Sequence, residues 1–127
     1  MNGDGYGDVI IGAPYFDNGQ TNEGRAYVFH GSATGVSTFA NWIKENDTAG
    51  SYFGNSVATA GDINGDGYSD VIIGAPDWNS TGKAYVFHGS ATGLSLTDNW
   101  QTNIGQATAK FGCSVSTAGD INNDGYS

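Results

Sequence analysis

The chain has 127 residues and a formal net charge of −9, with four Lys and Arg residues against 13 Asp and Glu residues. This balance argues against a nucleic-acid partner, which requires a basic surface. Only 13% of the residues are charged and 21 are glycine, which indicates short strands joined by tight turns and argues against a helical bundle. No apolar run approaches the roughly 20 residues of a membrane span.

The chain begins with MNGDGYGD, a loop rich in Asn, Asp and Gly that matches the end of a longer loop, DINGDGYSD, further along. We expect no signal peptide in these residues, because Met1 is followed directly by polar residues. Residues Val9 to Ile11 are a short apolar run, as expected for a strand buried on both faces.

A loop from Tyr15 to Gly24 leads to the next predicted strand, Ala26 to His30. Side chains alternate along a strand, so Tyr27 and Phe29 should face away from Ala26 and Val28. A third strand is predicted around Asn41 to Glu45, where charged residues suit an exposed edge. This strand contains Trp42. We expect Trp42 and its repeat equivalent Trp100 to pack between outer strands.

The second half of the chain repeats the first. FGNSVATAGDIN begins at Phe53 and returns as FGCSVSTAGDIN at Phe111, while AYVFHGSATG begins at Ala26 and again at Ala84, a shift of 58 in both cases. DVIIGAP recurs with a shift of 62, because the loop that follows it is four residues shorter in the second copy. A fixed period of this length is typical of repeat architectures.

The complete loop, Asp62 to Asp70, places oxygen-bearing side chains at positions 1, 3, 5 and 9. Calcium takes six to eight oxygens at about 2.3–2.6 Å, and such a loop can supply most of them, with a backbone carbonyl at position 7. An EF-hand would need a carboxylate at position 12, where this chain has Ile73. A turn without metal is the alternative, since Asn, Asp and Gly dominate turns.

The predicted calcium ligands lie in three copies of this loop. They are Asp62, Asn64, Asp66, Tyr68 and Asp70 in the second copy, Asp120, Asn122, Asp124 and Tyr126 in the third, and Asn2, Asp4 and Asp8 in the first.

Three motifs recur in a fixed order: a Phe-Gly pair (Phe53-Gly54 and Phe111-Gly112), a DxNxDGxxD loop that is complete only in the second copy, and Gly-Ala-Pro (Gly12 to Pro14 and Gly74 to Pro76). In this order and spacing they resemble FG-GAP repeats, the blades of integrin alpha-subunit β-propellers. The likeness covers nearly the whole chain. It implies an all-β fold of four-stranded propeller blades, with Ca²⁺ in the loop between the first two strands of each blade. It also implies an extracellular or secreted protein.

The blade assignment leaves two units cut at their ends. Residues 1–52 would hold strands 2 to 4 of the first blade, 53–110 the complete second blade, and 111–127 the first strand and calcium loop of another. Two blades cannot close a ring, and unmated strand edges template pairing. We therefore expect a homo-oligomer, with a homotrimer of six blades favoured and a homotetramer of eight possible, in which Phe111 to Thr117 pairs with Val9 to Ile11 of the next copy.

At such a junction, two tails encode the same loop. The C-terminal tail is favoured, because Asp120, Asn122 and Asp124 would join Asp8 of the neighbour to give four side-chain ligands. The N-terminal tail would supply Asn2 and Asp4 with Asp8 but lack the first ligand. A frayed tail is the alternative.

No catalytic constellation stands out, and we expect no enzyme. His30 and His88 are repeat-equivalent and are expected to serve the scaffold, and Cys113 is expected to be a buried, unreactive thiol. Phe16 and Trp78 follow Gly-Ala-Pro in a loop and could bind a protein or a glycan, although packing is the simpler interpretation. A lectin-like or adhesin propeller is therefore one alternative function, and an inert fragment of a seven-bladed propeller is another.

Overall fold

The computed structural model describes residues 1–127 and contains seven strands and one 3-10 helix of three residues. The elements are β1 (Val9–Ala13), β2 (Arg25–Phe29), β3 (Trp42–Glu45), β4 (Ser56–Gly61), β5 (Asp70–Ala75), the helix (Trp78–Ser80), β6 (Lys83–Phe87) and β7 (Trp100–Thr102). The strands form two antiparallel sheets, in the orders β1-β2-β3 and β4-β5-β6-β7. The all-β prediction is confirmed. No helix is long and apolar enough to cross a bilayer.

Equivalent strands pair in the same register in the two sheets. In β1 and β2, Val9 lies opposite Phe29, and in β5 and β6, Val71 lies opposite Phe87. Residues alternate in β2 as predicted: Ala26 and Val28 are fully buried, while their neighbours are partly exposed. The two sheets are therefore built on one plan from the repeated sequence.

The hydrophobic core lies between the two sheets. Trp42 of β3 contacts Phe87 of β6 edge-to-face, with ring centroids 5.1 Å apart, and Phe53 contacts Tyr85 in the same way at 5.3 Å. Val28, Val71 and Ile73 belong to the same cluster of ten buried residues. Trp42 is packed as expected, but Trp100 is 48% exposed, so the prediction that both tryptophans are packed is wrong for Trp100. Nothing in the single chain lies over it as Phe87 lies over Trp42.

The glycines of the repeated motifs lie against one another where successive units meet. A Cβ at Gly12 would overlap the carbonyl oxygen of Gly54, and one at Gly74 would overlap that of Gly112. The Gly-Ala-Pro glycine of each unit therefore contacts the Phe-Gly glycine of the following unit. Only glycine allows two backbones to approach this closely.

Residues 111–127 run beside β4 without forming a strand. Asn55 Nδ2 donates to the carbonyl oxygen of Cys113 at 3.1 Å, and the amide of Ser127 donates to the carbonyl oxygen of Asp62 at 3.3 Å. The one ladder contact is an isolated bridge between Phe111 and Gly82. Cys113 is exposed, which contradicts the expected buried thiol, because no strand covers this segment. The pairing of Phe111 to Thr117 with another copy stays a prediction, and so does the assignment of residue ranges to blades.

Candidate metal centre

The complete loop, residues 62–70, connects β4 to β5 and folds around the carboxylate of Asp62. Its Oδ1 accepts hydrogen bonds from the amides of Gly65 at 2.8 Å and Asp66 at 3.0 Å, and its Oδ2 accepts one from Gly67 at 2.7 Å. Gly65 and Gly67 have φ of +75° and +90°, which glycine adopts without strain. The glycines thus allow the chain to wrap its first carboxylate.

A second carboxylate in the loop, that of Asp66, is oriented by its neighbours. The amide of Tyr68 donates to its Oδ1 at 2.9 Å, and Asn64 Nδ2 donates to its Oδ2 at 2.8 Å. Both bonds favour the ionised form, so the Tyr68 amide first and the Asn64 side chain second hold the pKa of Asp66 below its usual value. The Asp66 carboxylate therefore stays ionised to a lower pH than an unperturbed aspartate does.

The last carboxylate of the loop, Asp70, has a structural role that its position in the motif does not reveal. It is fully buried, and it accepts hydrogen bonds from the amides of Ile63 at 3.1 Å and Gly89 at 2.8 Å. Asp8 repeats the arrangement in the first loop, accepting from Gly31 at 3.0 Å and pairing with the Met1 amino group at 3.2 Å. Asp8 thus ties its loop to the turn after β2, and Asp70 ties its loop to the turn after β6.

The first and third loops repeat the pattern of the complete loop. In both, a side-chain amide donates to the position-5 aspartate, which also accepts the amide of the following tyrosine. The pairs are Asn2 with Asp4 at 2.8 Å, Tyr6 with Asp4 at 2.9 Å, Asn122 with Asp124 at 2.7 Å and Tyr126 with Asp124 at 3.0 Å. The amide of Tyr6 lowers the pKa of Asp4, and that of Gly125 lowers the pKa of Asp120.

The chemistry of the donors fits a hard cation, but their present arrangement is that of a hydrogen-bonded loop. No three His, Cys, Asp or Glu side chains come together as a metal-holding group. The carboxylates instead accept the loop's own amides. Most of the carboxylate oxygens accept one hydrogen bond and retain a further lone pair, whereas Asp62 Oδ1 accepts two. Oxygen is the donor that calcium prefers. The predicted ligands of each loop thus lie along one turn, but their oxygens do not converge on a common coordination site.

The tyrosines of the loops have a contact that the sequence analysis missed. A Cβ at Gly3 would lie 2.5 Å from Tyr68 Cε1, and one at Gly65 would overlap the ring of Tyr126. Each ring therefore covers the glycine at position 4 of the preceding loop. The signal was available in the sequence, because tyrosine recurs at position 7 wherever the loop recurs. Tyr6, in the first loop, is 50% exposed.

The two aromatic candidates for ligand binding lie beneath cations of their own units. The guanidinium carbon of Arg25 is 3.7 Å from the centroid of the Phe16 ring, and Lys83 Nζ is 4.1 Å from that of Trp78. Both rings are half-buried. A cavity of about 270 Å³ adjoins Trp78 and includes Asp98 in its lining. Ligand binding by either ring stays a prediction.

The histidines are not paired with serine hydroxyls. His88 Nδ1 lies 3.2 Å from Asn64 Nδ2, next to the complete loop. The hydroxyl of Ser90 donates to the carbonyl of Gly93 at 2.8 Å, and that of Ser32 donates to Gly35 at 2.7 Å. The nearby serines are thus engaged in turns.

The sequence of the chain matches known proteins that share one type of repeat. The FG-GAP repeat family model matches residues 1–29 and 53–87, just over half of the chain. The chain is 38% identical to human Integrin alpha-6 and 37% identical to chicken Integrin alpha-6, over 99% of its length. It is 39% identical to Integrin alpha pat-2 of Caenorhabditis elegans over 98% of its length. The chain spans only 11 to 12% of the length of these relatives.

Proposed function

The chain belongs to the FG-GAP repeat family, and on that premise we propose that it is a calcium-binding β-propeller module with a structural, self-assembling or protein-interaction role. The observation that carries the proposal is the complete loop, in which oxygen donors alternate along a glycine-shaped turn between two paired strands. The integrin relatives support an extracellular setting.

In the complete loop, Asp62, Asn64, Asp66 and Asp70 would hold the ion through their side chains and Tyr68 through its carbonyl. Bound calcium would supply two positive charges among carboxylates that otherwise repel one another. Other features of the loop residues hold its shape. Asp70 fixes the end of the loop to the turn at Gly89, and Gly65 and Gly67 allow its curvature. Calcium would thereby brace β4 against β5.

Replacing Asp66 by asparagine should weaken calcium binding by roughly 10- to 100-fold at the complete loop. The substitution keeps the size of the side chain but removes one charge beside a divalent ion, which is worth about 1–3 kcal/mol in a solvent-exposed setting. Calorimetric titration with CaCl₂ measures the effect. Asp47→Asn is the matched control, because Asp47 is exposed and lies outside all three loops.

Chelation gives a second readout of the same proposal. Binding to the folded form alone adds about 2.7 kcal/mol when calcium is at 100 times its dissociation constant. The thermal midpoint should therefore fall when EDTA replaces calcium, and it should fall less for Asp66→Asn than for Asp47→Asn. Equal affinities for the two variants, or a midpoint indifferent to EDTA, would contradict the calcium proposal.

We further propose that copies of the chain associate head to tail, with a trimer of six blades favoured over a tetramer of eight. The support is physical: two sheets cannot close a propeller, and both ends of the chain leave sheet surface uncovered. Native mass spectrometry in calcium should show a trimer or a tetramer. A monomer at every concentration tested would reject self-association.

At the junction between copies, the geometry supports the N-terminal tail, the opposite of the assignment favoured from the sequence. A tyrosine ring covers position 4 of the first and second loops, where the residue is Gly3 or Gly65. The third loop has Asn123 at this position, so its Cβ would meet the Tyr68 ring of the next copy. We propose that residues 1–8 of that copy form the junction loop.

A second candidate function is ligand binding near Trp78, favoured by the cavity of about 270 Å³ that lies beside this ring. Trp78 offers an aromatic face, and Lys83 and Asp98 offer polar groups for a sugar or a peptide. A glycan array would test this function. Binding that survives in Trp78→Ala would reject this surface as the site.

A further inference from the structure

One face of the second sheet is left open in the single chain. A groove of about 770 Å³ separates this face from the C-terminal segment, and we call it the open groove. Ile72, Val86 and Trp100 line it from the sheet, and parts of residues 116–127 line it from the other side. It is an apolar surface with the shape of a slot between a sheet and an extended segment.

The corresponding surface of the first sheet is not open. Trp42 is the repeat equivalent of Trp100, yet it is 5% exposed where Trp100 is 48% exposed. The difference arises because β5 and β6 cover Trp42, with Phe87 in edge-to-face contact at 5.1 Å. The contact between the two sheets of one chain therefore shows what kind of surface fits this groove.

The chain carries a second copy of that covering surface at its other end. Strands β1 and β2 repeat the sequences of β5 and β6 except that Arg25 replaces Lys83, and Phe29 is the equivalent of Phe87. Val9 and Ile11 are 38% and 49% exposed, whereas their equivalents in β5 are fully buried. One end of the molecule thus presents the covering face, and the other presents the face that such a surface covers.

We propose that the open groove is filled by the β1–β2 face of a second copy of this chain, with Phe29 of that copy against Trp100. The inference rests on the self-association proposed above and adds the surface and the register. The contact joins two different surfaces of identical chains, the open groove of one copy and the β1–β2 face of the next. It is therefore head-to-tail and can propagate until a ring closes.

The register follows from the pairing within the chain. In β4 and β5, Ser56 lies opposite Gly74 and Val57 opposite Ile73. The equivalent pairs between copies are Ser114 with Gly12 of the second copy and Val115 with Ile11 of the second copy. The receiving segment is already in place, since Ser56 Oγ donates to the carbonyl of Gly112 at 2.8 Å.

The test uses two variants that each remove one face. Ile11→Asp places a charge on the covering face, and Trp100→Asp places one in the groove. Each variant alone should be monomeric in calcium by native mass spectrometry. Their equimolar mixture should form a 1:1 heterodimer, because each then contributes its intact face and the second contact is blocked. Heterodimer formation would also show that both variants are folded.

The control is Leu96→Asp, which adds the same charge at a position that is 73% exposed and outside the lining of the groove. It should assemble as the unmodified chain does. If the unmodified chain assembles and both face variants assemble equally well, the groove is the wrong surface although self-association stands. If the unmodified chain stays monomeric at high concentration, the second copy is the wrong occupant and self-association fails with it. If the variants are monomeric but their mixture forms no heterodimer, the head-to-tail pairing is wrong.

Discussion

Replacing Trp42 by alanine lowers the free energy of unfolding by about 3–5 kcal/mol, the usual cost of deleting a large buried aromatic side chain. Trp42 is 5% exposed, packs against Phe87, and donates from its indole nitrogen to the carbonyl of Ser95 at 2.9 Å. A domain has only about 5–15 kcal/mol of stability in total. Loss of this ring should therefore open the boundary between the two sheets.

The equivalent change at Trp100 provides the comparison. In a monomeric background, Ile11→Asp, the loss from Trp100→Ala should stay below about 1 kcal/mol, because half of the side chain is already in water. Urea denaturation in the presence of calcium measures both values. The four proteins compared are the unmodified chain, Trp42→Ala, Ile11→Asp, and Trp100→Ala in the Ile11→Asp background. Equal losses at the two tryptophans would show that the packing around Trp42 is not what stabilises the chain.

Alanine at Gly12 should cost about 3 kcal/mol or more, since a Cβ there would overlap the carbonyl oxygen of Gly54. The clash is with backbone on the neighbouring unit, so no side chain can rotate away to relieve it. The two sheets would have to separate locally, which weakens the core between them.

Gly7→Ala is the matched control for this change. No atom lies within 4 Å of a Cβ at Gly7, and its backbone is not left-handed. Its effect on the free energy of unfolding, measured by thermal and urea denaturation, should stay within about 0.5 kcal/mol. Gly12→Ala with a midpoint as high as that of Gly7→Ala would rule out the close glycine contact.

Much of the fold could be predicted because each element repeats. The apolar runs at Val9 and Val71, and the alternation in β2, depend on local periodicity, which the sequence displays directly. The loops could be located in the same way, since their Asp, Asn and Gly spacing is local. The exposure of Trp100 could not be predicted. The segment that leads to it, SATGLSLTDNW, follows the pattern of SATGVSTFANW before Trp42, whereas the surfaces packed against the two rings differ.

Two features of the loops also lay beyond the motif. Asp70 reads as a calcium ligand from its position, but its burial and its bond to Gly89 depend on a turn 19 residues away. The Tyr68 ring reaches the preceding loop, more than 60 residues earlier in the chain. The recurrence of tyrosine at position 7 marks the residue in the sequence, but only the packing of the two sheets shows which glycine the ring covers. Such roles require knowing how the two sheets face each other, and that is a property of the assembled pair.

The covering of Gly3 by Tyr68 and of Gly65 by Tyr126 gives the row of loops a direction. In both cases the covering tyrosine belongs to the following loop rather than to the preceding one. The final loop of any such series is consequently the one whose amides exchange with solvent fastest. Closing the series into a circle would remove that weakest member altogether, because no loop would then be last.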